Sequence, residues 1–101
     1  MSSPAEIKKM EEILNQQTDL LAQVNQVLDH YEALQEDYQK LKTYYNSEAY
    51  FADLSADAQG DLPADLPRGV LSEDAVYDLM GDQYQLAIRL LELGTELVKN
   101  Y

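Results

Sequence analysis

The sequence predicts an all-α protein, with one long N-terminal helix and shorter C-terminal helices folded back along it as a helical hairpin or bundle. Three observations carry this reading. After Pro4 no glycine or proline occurs before Gly60. Apolar residues along that stretch recur at helical spacing, without the alternation of a strand. The remainder divides into shorter periodic segments separated by proline and glycine.

The long helix is placed at 4–45. Ser3 precedes Pro4 and stands three residues before Glu6, the pattern in which a serine hydroxyl accepts from the first turn and proline loses nothing by lacking its N–H. At the other end Lys40 and Lys42 complement the negative pole of the helix, and Asn46-Ser47 favours a cap or turn. Counted in sevens, Ile7, Leu14, Leu21 and Leu28 form one row, Met10, Val24, Tyr31, Tyr38 and Tyr45 a second, and Ile13, Leu20, Val27, Leu34 and Leu41 a third. Three adjoining rows make a stripe wider than a two-helix seam. Gln17, Gln35 and Lys42 interrupt the rows and need a hydrogen-bonding partner or a place near the rim.

A helix of that length spans roughly 60 Å. A compact chain of this size has a diameter of about 33 Å. The remaining residues must therefore lie back along the rod, or a second copy must cover part of the stripe; the width of the stripe suits both together, with monomer and homodimer equally open.

A second, short helix is expected at 47–58, capped by Ser47 with Glu48 in its first turn. Tyr50 and Phe51 join Tyr44 and Tyr45 in an aromatic patch at the end of the long helix. The patch is read as the core corner where the chain reverses, with a partner platform as the alternative, since tyrosine is enriched at contact hot spots. Residues 59–71 contain Asp61-Leu62-Pro63 and Asp65-Leu66-Pro67 between glycines. They exclude regular helix and read as an extended connector pinned by leucines. Helices at 72–80, opened by Ser72, and at 83–100 follow, meeting with a bend at Gly81-Asp82. Ala87 and Gly94 mark a seam of close approach to the long helix, so Gly94→Leu is expected to disrupt packing. The whole of 1–101 is treated as one domain.

With 46% hydrophobic residues the chain has material for a core. Its formal net charge of -12 opposes binding to nucleic-acid phosphates and anionic lipid, so a charged partner should be basic. There is no cysteine, hence no disulfide, thiolate or zinc knuckle. The opening Met-Ser-Ser-Pro lacks the apolar core of a signal peptide, and no apolar run approaches a membrane span of about 20 residues. A cytoplasmic location is the expectation.

The block Arg68-Gly69-Val70-Leu71-Ser72-Glu73-Asp74-Ala75-Val76-Tyr77-Asp78-Leu79-Met80-Gly81-Asp82, with Leu86-Ala87-Ile88-Arg89 after it and Tyr44-Tyr45 and the leucine-proline segments before it, resembles a family of small bacterial proteins described as domain of unknown function 4298. The resemblance covers nearly the whole chain. It implies a bacterial, cytoplasmic protein of about this size and gives no activity to place on any residue. Arg68 is the one basic residue between Lys42 and Arg89, among nine acids from Glu48 to Asp82. It is expected to pair with Glu73, Asp74 or Asp78 as a structural clamp, with anion binding as the alternative. Tyr77 would seal the corner or cap a pocket.

Other chemistry finds little footing. A di-iron bundle needs Glu-x-x-His pairs, and His30, the single histidine, follows Val27 and falls on the polar side of the long helix. Magnesium-binding Glu-x-x-Glu arrays are missing. Asp53, Asp57, Asp61 and Asp65 recur every four residues, but prolines break the helix that would align them. Secreted acidic hairpins of similar size turn on a Trp-x-Gly corner, and this chain has no tryptophan. No catalytic residue, metal or cofactor is expected, and the chain is read as a non-enzyme. The reading is a structural or protein-interaction module with an unidentified protein partner. The alternatives are an acidic nucleic-acid mimic that binds a basic protein and a metal-dependent enzyme using carboxylates alone.

Overall fold

The computed structural model describes residues 3–101; Met1 and Ser2 of the Met-Ser-Ser-Pro opening lie outside the described residues. Four α-helices follow one another: α1 (Pro4–Ala33), α2 (Gln35–Tyr45), α3 (Glu48–Ala58) and α4 (Ala75–Lys99), with a 3₁₀ turn at Gly69–Leu71. No strand occurs among the described residues, and the all-α class is as expected. The contacts of the chain fall into two compact units, the first ending at Gln39 and the second spanning Lys40–Tyr101.

The start of α1 is where the sequence puts it. The Glu6 amide donates to Ser3 Oγ at 3.1 Å and Pro4 occupies the first turn. The single helix expected over 4–45 is corrected by one residue, Leu34, which stands between α1 and α2 with φ -95° and ψ 2°. Its amide is shared between the carbonyls of His30 and Tyr31, at 3.2 and 3.3 Å, as at many helix ends. The Gln35 side chain donates to the same Tyr31 carbonyl at 3.3 Å, so a side chain takes up an acceptor that an unbroken ladder would have filled from the backbone. Gln35, the interruption noted in the apolar rows, thereby finds its partner in the last turn of α1. Glu36 and Asp37 then lie in the first turn of α2, where acids are favoured.

Within the first unit α1 is a lone helix with nothing to bury its stripe. From Ile7 to Val27 the large apolar side chains that point outward are 41–64% exposed.

In the second unit Ser47 caps α3, accepting from the Tyr50 amide at 3.3 Å. The far end of α3 closes with the Gly60 amide donating to the Asp57 carbonyl at 3.1 Å and the Asp61 amide to the Ala56 carbonyl at 3.0 Å. Gly60 holds φ 75°, the left-handed conformation that this closure requires and that glycine adopts without strain. The connector then runs to the 3₁₀ turn, which touches both α3 and α4.

Two further boundaries are corrected. Ser72 does not open a helix; its hydroxyl donates to the Gly69 carbonyl at 2.7 Å and closes the 3₁₀ turn, and α4 begins at Ala75. No break occurs at Gly81-Asp82 either, because α4 is continuous from Ala75 to Lys99. A glycine inside a helix costs about 1 kcal/mol relative to alanine, too little to stop a ladder of that length. The seam expected at Ala87 and Gly94 has no occupant in this unit, since a Cβ built on Gly94 or on Gly81 meets nothing within 4 Å. Gly81→Ala combined with Gly94→Ala should therefore raise stability by about 1–2 kcal/mol, read as a higher melting temperature by circular dichroism.

Candidate functional site

The side chains that the second unit brings together surround Tyr50. It projects from the first turn of α3 and is 6% exposed; with Val76, at 4%, it makes up the buried core among the described residues. The turn at Asn46-Ser47 places the last residues of α2 against it. Tyr44 meets Tyr50 edge-on, with ring centroids 5.5 Å apart and planes at 87°. Tyr45 lies at 5.0 Å with a 58° tilt, and Phe51 at 5.9 Å and 68°. Every one of these ring contacts includes Tyr50, and the geometries are those in which ring edges meet ring faces. Ser47 fixes the corner further, its hydroxyl donating to the Tyr44 carbonyl at 2.6 Å.

Asp53, one turn along α3, completes the corner by accepting a hydrogen bond of 2.6 Å from the Tyr44 phenol. That bond, helped by desolvation and by the negative charge of the carboxylate, pushes the Tyr44 pKa up to about 12, because ionising the phenol would set two anions against each other. The folded pKa exceeds the ordinary value of 10. The contribution of this bond is therefore complete below pH 10 and lost as pH rises from 10 to about 12. In an alkaline titration followed by phenolate absorbance, one tyrosine should ionise late, and Tyr44→Phe should remove that component.

Arg68 does form a clamp, with a different partner from the one expected. Its Nη1 lies 2.7 Å from Asp57 Oδ1 on α3, and Glu73, Asp74 and Asp78 are not the acceptors. Nη2 donates to the Pro63 carbonyl at 2.7 Å and Nε to the Leu66 carbonyl at 3.4 Å. The reason is electrostatic as well as geometric. The last turn of α3 carries Asp57 and no basic residue, leaving a carboxylate at the negative end of a helix. A guanidinium returning from the connector offsets both charges.

Of the residues singled out in the sequence, Tyr44, Tyr45, Tyr50 and Phe51 come together. Arg68 stands apart on the α3–connector junction, and Tyr77 is 66% exposed and joins none of the ring contacts. Asp53 and Asp57, two of the four aspartates that recur every four residues, each hold a partner. Their four-residue spacing was visible; the partners arrive through turns that the spacing does not encode. Among the described residues no three His, Asp or Glu side chains are grouped so as to hold a metal, and no helix is long and apolar enough to cross a membrane.

Fold and site together define an all-α protein whose organised polar side chains are a tyrosine paired with a carboxylate and an arginine paired with another. The chain belongs to the family described as domain of unknown function, DUF4298, whose model matches residues 7–93. Neither the curated proteins nor the solved structures give a match.

Proposed function

We propose that this chain is a protein-interaction or structural module of the cytoplasm, that it works through its apolar helix faces, and that it is not an enzyme. The observation that carries the reading is the uncovered apolar surface on helices that are otherwise regular. Besides the stripe of α1, Leu91, Leu97 and Val98 of α4 are 72%, 66% and 79% exposed. Contiguous apolar surface on that scale marks a site of association. The charge of -12 selects against anionic partners.

A second reading rests on a separate observation. Of the nine acids from Glu48 to Asp82, Asp53 and Asp57 are engaged and half-buried, while the other seven are exposed. That surface could stand in for nucleic-acid phosphates before a basic protein.

The test uses the full chain. A module should give one defined oligomer or complex by light scattering that persists in high salt, since apolar contacts are not screened. Its melting temperature should not respond to low concentrations of divalent ions. Salt-sensitive capture of basic proteins alone would favour the mimic, and a rise in melting temperature with low divalent ion would favour a carboxylate metal enzyme.

A further inference from the structure

We propose that the apolar stripe of α1 is covered by α1 of a second copy of this chain, running antiparallel, with the two-fold axis level with Asp19. The proposal rests on the interaction-module reading and narrows it to one partner, one orientation and one register.

The rows of α1 decide the orientation. In heptad terms Ile7, Leu14, Leu21 and Leu28 occupy position a, and Met10, Gln17, Val24 and Tyr31 position d. The third apolar row, Ile13, Leu20 and Val27, occupies g, whereas position e is polar throughout: Glu11, Thr18, Asn25 and Glu32. The stripe is thus lopsided, apolar on one flank and polar on the other. In a parallel pair each g row faces the e row of its partner, so Leu20 would meet Asn25, Val27 would meet Glu32, and Glu6 would meet Glu11. In an antiparallel pair g faces g and e faces e. Leu20 then meets its own copy, Ile13 meets Val27, Glu11 of e lies against Asn25, and Thr18 meets Thr18.

The register follows from the same rows. With the axis at Asp19, Ile7 lies level with Tyr31 of the second copy, Met10 with Leu28, and Leu14 with Val24, so each a residue meets a d residue. Gln17, which broke the apolar row, lies level with Leu21 in the layers next to the axis. There the two Gln17 amides are near enough to pair, and a polar layer of that kind fixes register. Lys8 comes within one residue of level with Asp29 on the same flank, both at position b, and the helix dipoles oppose. The ends agree as well. Pro4 lies level with Leu34, the residue at which α1 stops, so the helix is the length that this register can cover.

Size is consistent with one stable partner. The stripe side chains from Ile7 to Val27 are 41–64% exposed. Together they offer on the order of 800 Å² per helix, the size of a standard interface. Leu20, Val24, Val27 and Leu28 also line a shallow apolar groove with Gln23 on the same face.

The absence of cysteine from the chain allows a direct test by single-cysteine variants of the full chain, oxidised and run without reductant. Leu20→Cys should link to its own copy in most of the protein, since position 20 faces itself across the axis. Leu14→Cys should not, because its two copies are ten residues apart along the interface, about 15 Å. Mixing Ile13→Cys with Val27→Cys should give the mixed dimer. Helix content by circular dichroism confirms that each variant folds, and light scattering of the unaltered chain should give a dimer. Self-linking of Leu14→Cys in place of Leu20→Cys would establish a parallel pair and overturn the proposal. A dimer in which no α1 cysteine links would also overturn it, by placing the contact on another face. A monomer that captures a different protein on α1 would overturn the self-pairing and leave the module reading standing.

Discussion

Tyr50→Ala should unfold the second unit. Replacing a buried aromatic ring by alanine costs about 3–5 kcal/mol, and here the loss includes every ring contact of the corner, since Tyr44, Tyr45 and Phe51 each touch Tyr50. Each such pair adds about 0.5–1.5 kcal/mol beyond its buried area. A unit of about sixty residues has rarely more than 3–5 kcal/mol in total. With Tyr50 and Val76 as its buried side chains, this one has no second core to fall back on. The expected result is loss of the near-ultraviolet circular dichroism of the tyrosines and loss of the unfolding transition in urea. Tyr50→Phe, which keeps the ring, should retain both. An Ala variant that melted with unchanged cooperativity would show that the corner is decoration on helices held by something else.

Helix starts marked by a serine cap lie where the sequence puts them at Ser3 and Ser47 but not at Ser72, whose hydroxyl turns back to the Gly69 carbonyl. Ser3-Pro4 with Glu6, and Ser47 with Glu48, specify helix starts through contacts within one turn, and both starts are found. The aromatic corner was legible for the same reason, since Tyr44, Tyr45, Tyr50 and Phe51 are separated by a single turn. Leu34 was not, because nothing in the apolar rows distinguishes it from the leucines on either side; the signal is Gln35, whose side chain competes for the Tyr31 carbonyl. Gly81 misled in the opposite direction, as a helix-ending residue that a long continuous ladder absorbs. Arg68 was assigned a carboxylate ahead of it in the chain and found one eleven residues behind. Proximity in sequence favours Asp65, Glu73 and Asp74 over Asp57; what decides is that the connector folds back to the end of α3, and no spacing rule carries that.

The junction between connector and α4 should depend far more on Val76 than on Arg68. Val76 is 4% exposed in the first turn of α4, at the end that meets the 3₁₀ turn. Val76→Asp would place a carboxylate there without a partner, in a unit whose single guanidinium between Lys42 and Arg89 already serves Asp57. An unpaired buried charge either stays ionised at great cost or takes up a proton, and either way the loss should be about 3 kcal/mol or more. Val76→Ala removes two methyl groups and should cost about 2 kcal/mol. Arg68→Met should cost no more than about 1 kcal/mol, because the ion pair with Asp57 is 39% and 26% exposed at its two side chains and water can replace the bonds to Pro63 and Leu66. Urea unfolding followed by circular dichroism should rank the variants in that order, and hydrogen exchange of 59–71 should accelerate most in Val76→Asp. An Arg68→Met variant less stable than Val76→Ala would mean that the clamp, and not the apolar contact, fastens the connector, and would make the charge on Arg68 the place to look for function.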